Sequence, residues 1–323
     1  MSSGPWKISG GTVYDPANGV DGEQRDVWFE NGKIIGPPEN QAAAKTVDAS
    51  GLIVMPGGVD VHSHIAGSKP NAARLLTPER RDCGEVMHRT RCTRSGTLGP
   101  VPSTFATGQL YAGLGYTTAF DAAVAPLGAR HAHHELEDTP CLDKGFFALI
   151  GNNQYAIESI QQGDRERLRR FIAWLLGAAK AYAPKLVNPG GVDAWKRTPQ
   201  ARSHGLDDKV VGYDVTPRAI VREIVAAAND LGLPHPAHIH CNQLGMPGNW
   251  LTTLETMRSL EGRRAHLAHV QFHSYGGEEE SQFCSRAKEL TDYVNEHDNI
   301  TVDVGQVIFG DAMAMTGDGA AAY

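Results

Sequence analysis

Short apolar runs broken by turn residues open the chain. Trp6–Tyr14, Asp26–Glu30 and Lys33–Ile35 read as strands. The Asn31-Gly32 step between the last two signals a hairpin, because both residue types tolerate positive φ. Residues 1–54 are therefore expected to form a small β-domain. From Val54 the pattern changes to apolar strands alternating with helical stretches. Strands are expected at Gly57–His64, Gly115–Asp121, Gly145–Gly151, Ala183–Gly190, His235–Cys241, Ala265–His273 and Asn299–Val307. Between them, Leu168, Phe171, Ile172, Leu175, Leu176 and Ala179 recur at helical spacing against an Arg-rich face, which predicts a helix over Arg165–Tyr182. Thr216-Pro217 supplies an N-cap and a proline at the first helical position, and predicts a second helix to Leu231-Gly232.

Strands interleaved with helices over residues 55–323 predict an α/β fold, a (β/α)8 barrel with its functional groups at the C-terminal strand ends. No eighth strand is legible before Tyr323. An open barrel leaves unpaired strand edges. The barrel is thus expected to be truncated before strand eight, the chain being a fragment or one completed by a partner.

Composition narrows the class of molecule. A hydrophobic content of 41% and a charged content of 21% fit an ordinary globular protein. The net charge of −7, with no basic run, argues against nucleic acid as the main partner. Cys83, Cys92, Cys141, Cys241 and Cys284 are odd in number and lack C-x-x-C spacing, so a reduced cytoplasmic setting is expected. The N-terminus has no apolar signal-peptide core. The apolar run Phe171–Ala179 falls far short of the roughly 20 residues a membrane span needs, so no span is expected.

The candidate chemistry is histidine-rich. In a strand, side chains two apart share a face, roughly 6–7 Å apart. His62 and His64, on either side of Ser63, can therefore lean on one metal ion. Any single one of the fourteen histidines is more commonly a hydrogen-bonded structural residue. Their collection at strand ends is the stronger signal: His62 and His64, then His238 and His240, then His266, His269 and His273, with Lys185 and Asp303 on neighbouring strands. His266 has the opposite strand parity to His269 and is expected to point to the helical layer. Lys185 has two readings: a buried cation paired to an acid or anchoring a substrate carboxylate, or a neutral amine that takes up carbon dioxide. The resulting carbamate is an anionic ligand able to bridge two ions. His131, His133 and His134 are expected in a polar loop after the second strand, and Cys241 is expected to be a buried thiol. Asn242 and Tyr275 are candidate substrate contacts. Nucleophile-elbow, dinucleotide and P-loop patterns are absent from the sequence.

The segments Val13–Gly19, His62–Gly67, Leu186–Gly191, His238–Asn242 and His269–Gly276 carry a resemblance. They are similar to the amidohydrolase superfamily, and more narrowly to the A subunits of formylmethanofuran dehydrogenase and of the formyltransferase/hydrolase complex. The resemblance implies an amidohydrolase-type barrel with two Zn2+ ions. His62 and His64 would hold one, Lys185 as N6-carboxylysine would bridge both, and His240 and His269 would hold the second. It also implies an Asp at the end of strand eight as ligand and proton shuttle. Asp303 and Asp311 lie too early for that position, so no catalytic proton carrier is identified in this sequence. The implied substrate is formylmethanofuran or a close analogue, hydrolysed to formate and methanofuran in one-carbon metabolism. The implied partners are the other subunits of such a complex. Two other readings compete. One is a cyclic-amide hydrolase of the dihydroorotase or hydantoinase type, against which the run Gln271–Tyr275 argues. The other is a non-catalytic scaffold subunit.

Overall fold

The computed structural model describes residues 4–39, 42–67, 70, 104–192 and 205–305. Cys83, Cys92 and Asp311 lie outside the described residues, as do the last two positions of the strand expected at Asn299–Val307. The chain divides into two compact units, Met1–Gly58 and Val59–Tyr323.

The first unit is built on β1 (Trp6–Asp15), which pairs antiparallel with β2 (Val20–Glu30) and parallel with β4 (Lys45–Asp48) and β5 (Ile53–Val54). β3 (Lys33–Ile35) completes the sheet as the far side of the expected hairpin. Asn31 at φ 50° and Gly32 at φ 75° make its turn, the left-handed pair that lets twisted strands reverse direction in two residues. Trp6 faces Phe29 across the β1–β2 ladder, with ring centroids 5.8 Å apart.

The second unit is organised by a seven-stranded sheet in the order β14-β11-β10-β9-β8-β7-β6. The strands are β6 (Gly58–Ser63), β7 (Tyr116–Val124), β8 (Asp143–Leu149), β9 (Ala183–Val187), β10 (Ala237–His240), β11 (Ala265–Leu267) and β14 (Ile300–Val302). From β7 onward, neighbouring strands run parallel. The intervening helices include α1 (Phe105–Gly113), α2 (Ala129–Glu137), α3 (Gln154–Gln161), α4 (Arg165–Ala179), α5 (Pro217–Asp230), α6 (Asn249–Arg258) and α7 (Ala287–Asn295). A short β12–β13 pair, Tyr275–Gly276 with Cys284–Ser285, precedes α7. This is the strand–helix alternation of a (β/α)8-type barrel, as expected from the sequence. Among the described residues, no helix is long and apolar enough to cross a membrane.

Local chemistry explains where the two best-patterned helices begin. The Asp164 carboxylate accepts the Arg167 backbone N–H at the start of α4, and the Thr216 hydroxyl accepts that of Ala219 at the start of α5. Leu168, Ile172 and Leu176 of α4 then meet Ile220, Ile224 and Val225 of α5 in the main apolar core. The sheet contributes Leu186, Ile239 and Leu267 to that core.

Register decides what lies on the other face. Lys185 pairs with His238, His238 with His266, and His266 with Thr301, so these four side chains form one row across β9, β10, β11 and β14. The next residues along, Leu186, Ile239 and Leu267, form the alternate row that packs on the helices.

Three expectations need correcting. The sixth strand ends at Leu267 rather than His273. His269 takes φ 36°, its N–H is accepted by the Asp303 carboxylate, and Val270–His273 form a 3-10 turn. Strand parity therefore does not carry across, and His266 lies in the row with Lys185 and His238 rather than towards the helices. His131, His133 and His134 lie on α2, whose Ala129, Ala132 and Leu136 are buried at helical spacing. The apolar stripe, not the polar residues between, determines that segment.

Two buried acids fix the turn that follows β6. Asp121 Oδ2 accepts the backbone N–H groups of Ile65 and Ala66, each at 2.8 Å, and its Oδ1 accepts that of Ala123 at 3.1 Å. Glu135 of α2 accepts the Gly67 N–H at 2.6 Å.

Two outcomes are expected. Ile224→Ala, at a fully buried position of α5, should lower stability by about 2–5 kcal/mol in denaturant titration. A loss under about 0.5 kcal/mol would contradict the packing described. Asp121→Ala should leave the Ile65 and Ala66 N–H groups without this acceptor, at about 1–3 kcal/mol for each buried group. Hydrogen exchange at those two amides should accelerate; unchanged exchange would show that the carboxylate does not hold the turn.

Candidate metal centre

The end of β6 supplies the first histidine. The Asp60 carboxylate accepts the His62 backbone N–H at 2.9 Å, and Tyr111 donates its hydroxyl to the other oxygen of Asp60 at 2.8 Å. His62 Nδ1 then lies 3.0 Å from His238 Nε2 and 3.2 Å from Asp303 Oδ2. Its ring centroid is 5.0 Å from those of both His238 and His269, so it stands between two groups of donors.

The first group is His62, His238 and Asp303; the second is His240, His269 and His273. Within each, the candidate ligand atoms lie within 4.8 Å of one another. His240 Nδ1 and His269 Nε2 are 3.0 Å apart, and the His269 and His273 rings stack at 5.2 Å. Two imidazole nitrogens at this distance either share one proton or aim lone pairs at a common point.

Burial favours lone pairs. It pushes His269 down to about 2 and His273 to about 3, with Lys185 adding positive charge beside both. His238 and His240 are held well below the ordinary histidine range for the same first reason. For Asp303, burial works against the charge, but hydrogen bonds from His266 and His62 keep the carboxyl well below its usual range. The site thus presents neutral imidazoles around one anionic carboxylate.

Beneath the two groups, His235 stacks on Phe147 at 4.8 Å and sets its Nε2 3.2 Å from His238 Nδ1. His266 is committed on both sides, Nδ1 to the Thr301 hydroxyl at 2.8 Å and Nε2 to Asp303 at 3.0 Å. Because a carboxylate can only accept, His266 Nε2 carries the proton.

The residues singled out in the sequence fall as follows. His62, His240 and His269 are in the two donor groups, and Lys185 is buried in the row beside His238. His64 is in neither group: its half-exposed ring is edge-on to His62 at 5.5 Å, with Nδ1 4.0 Å from Asp121. Asn242 is buried and donates its amide to the Pro189 carbonyl at 3.1 Å, while its Oδ1 has no hydrogen-bond partner among the described residues. Tyr275 begins β12 and packs on Phe283 at 5.0 Å. His235 is not among the strand-end candidates: it opens the strand expected at His235–Cys241, whereas β10 begins only at Ala237. His273 is a strand-end candidate in the sequence, but a 3-10 turn rather than a strand brings it beside His269.

These donors fit a divalent transition-metal ion. His269 Nδ1 and both ring nitrogens of His273 are buried without a hydrogen-bond partner among the described residues. Imidazole nitrogen with carboxylate oxygen is a ligand set for which Zn2+ is well suited.

Comparison with known proteins places the chain. Residues 45–323 match the model of the amidohydrolase family. Protein FwdA of Methanocaldococcus jannaschii is 45% identical over 327 aligned positions, covering 98% of this chain and 57% of FwdA. The A subunit of the formyltransferase/hydrolase complex Fhc of Methylorubrum extorquens is 36% identical, covering 97% of this chain and 56% of that protein. A crystal structure of the FhcABCD complex from the same organism, with methylofuran, contains a chain that is 37% identical to this one. It aligns with a TM-score of 0.83 over 95% of this chain and 55% of that chain. The chain spans slightly more than half the length of these relatives. With a parallel barrel sheet and a histidine-lined interior, it belongs to the amidohydrolase family.

Proposed function

We propose that this chain is the metal-binding amidohydrolase portion of an A subunit of a formylmethanofuran-processing complex. It hydrolyses the N-formyl amide of formylmethanofuran, or of a close analogue, to formate and the free amine. The observation that carries this reading is the likeness, at a TM-score of 0.83, to a chain of the complex whose structure contains methylofuran. The other subunits of such a complex are its partners, and a reduced cytoplasmic setting fits the free thiols Cys141, Cys241 and Cys284. Residues 1–54 serve as the small β-domain and residues 55–323 as the barrel that carries the site.

In this reading His62 and His64 would hold one Zn2+, Lys185 as N6-carboxylysine would be shared between two, and His240 and His269 would hold the second. His238 and Asp303 stand within reach of the first, grouped with His62. Such ions, when bound, supply Lewis-acid polarisation of a carbonyl oxygen and acidify water. The protein contributes neutral imidazoles kept unprotonated by burial, and an anionic Asp303 that offsets positive charge. Asn242 and Tyr275 contact the substrate. Water adds its oxygen to the formyl carbon, the C–N bond breaks, and a proton passes to the amine nitrogen.

His62→Ala should lower zinc from two ions to one per chain, read by elemental analysis, and abolish formate release from formylmethanofuran, in the full chain purified with its co-expressed subunits. Full activity with wild-type zinc content in that variant would overturn the assignment. Turnover of dihydroorotate in place of formylmethanofuran would transfer the site to the cyclic-amide hydrolases.

A further inference from the structure

His273 is the side chain that the reading above leaves without a task. It is fully buried, and neither ring nitrogen has a hydrogen-bond partner among the described residues. Burying an imidazole in that state costs about 1–3 kcal/mol for each unsatisfied group, so the position calls for a ligand. Its ring centroid lies 5.2 Å from that of His269 and 5.3 Å from that of His240. We propose that His240, His269 and His273 form a three-imidazole site for a borderline-soft divalent ion such as Zn2+, with His273 as its third protein ligand.

The backbone is built to present that ring. The chain reverses at His269, with φ 36°, and the 3-10 turn Val270–His273 that follows brings the two rings into a stack at 5.2 Å. The turn is pinned to α6. Thr253 donates its hydroxyl to the His273 carbonyl at 2.9 Å, and Asn249 donates its amide to the Phe272 carbonyl at 2.8 Å. Three histidines leave a tetrahedral ion one further position, which the Lys185 carbamate of the reading above would take, so water or substrate would enter by expansion to five-coordination. His273 thereby supplies a neutral ligand from the chain itself, in addition to any modification of Lys185.

This inference rests on the metal-dependent reading above, and its test separates the two. Metal-depleted full chain, with its co-expressed subunits, is titrated with Zn2+ and with Co2+. Wild type should bind two ions, with a Co2+ absorption spectrum of low coordination number. His273→Ala should keep the ion held near His62 and bind the other on the order of 100-fold more weakly, since loss of even an outer-shell partner costs about 10–100-fold. His62→Ala should show the reverse. Should either variant fail to fold, wild type loaded with 113Cd and 15N-labelled at histidine carries the test, by counting metal–nitrogen couplings. Three imidazoles on one ion support the proposal; two, or a His273→Ala chain with wild-type affinities and Co2+ spectrum, overturn it. A wild type that binds no ion overturns the metal-dependent reading together with this one.

Discussion

Imidazoles packed side by side with a lysine on the inner face of a parallel sheet are the constraint on which this structure turns. Lys185, His238 and His266 stand in register, and His62, His240, His269 and His273 gather beyond them. So many basic groups cannot share a desolvated interior as cations. Burial eases the conflict by holding His62, His238, His240 and His269 below the ordinary histidine range, with His235 at about 4 and His273 at about 3. Asp303 supplies the anionic charge among them, resting on His62, His266 and the His269 backbone.

A polar inner face requires a strongly apolar outer one. Leu186, Ile239 and Leu267 alternate with Lys185, His238 and His266, and each is fully buried against the helical layer. At about 25 cal/mol per Å² of apolar surface removed from water, that layer provides the favourable term which offsets a polar interior. Helices α4 and α5 therefore matter to the site although none of their side chains belongs to it. The buried acids act differently, locally and through directed hydrogen bonds. Asp121 and Glu135 accept the N–H groups that follow His64, so the path of the chain beyond β6 depends on acids in β7 and α2.

Much of this could be read from residue order. The strands and the two capped helices follow from apolar periodicity and from Asp164 and Thr216, which are local features. The histidine-rich strand ends were legible for the same reason. Pairing register was not, because it depends on how separate strands align, and it is register that puts His238 between Lys185 and His266. The turn at His269 was hidden too, since the acceptor of its N–H, Asp303, lies 34 residues further along the chain. The α2 histidines misled for a third reason: a helix whose apolar stripe is mostly alanine, Ala129 and Ala132 before Leu136, resembles a polar loop in residue order.

Hydrogen-bond commitment sorts the histidines of the interior better than position does. A ring whose two nitrogens are both engaged has no lone pair left for an ion. His266 is in that state, held by Thr301 and Asp303, and so serves to orient the carboxylate. His238 is also engaged through both nitrogens, though only by other imidazoles, Nδ1 with His235 and Nε2 with His62. His269 engages His240 through Nε2 alone, and His273 engages nothing through either nitrogen among the described residues. The gradient runs from the ring anchored on both sides to the ring anchored on neither. Ligand capacity rises along it, so the candidate metal site centres on the rings that the protein's own hydrogen bonds leave unsatisfied.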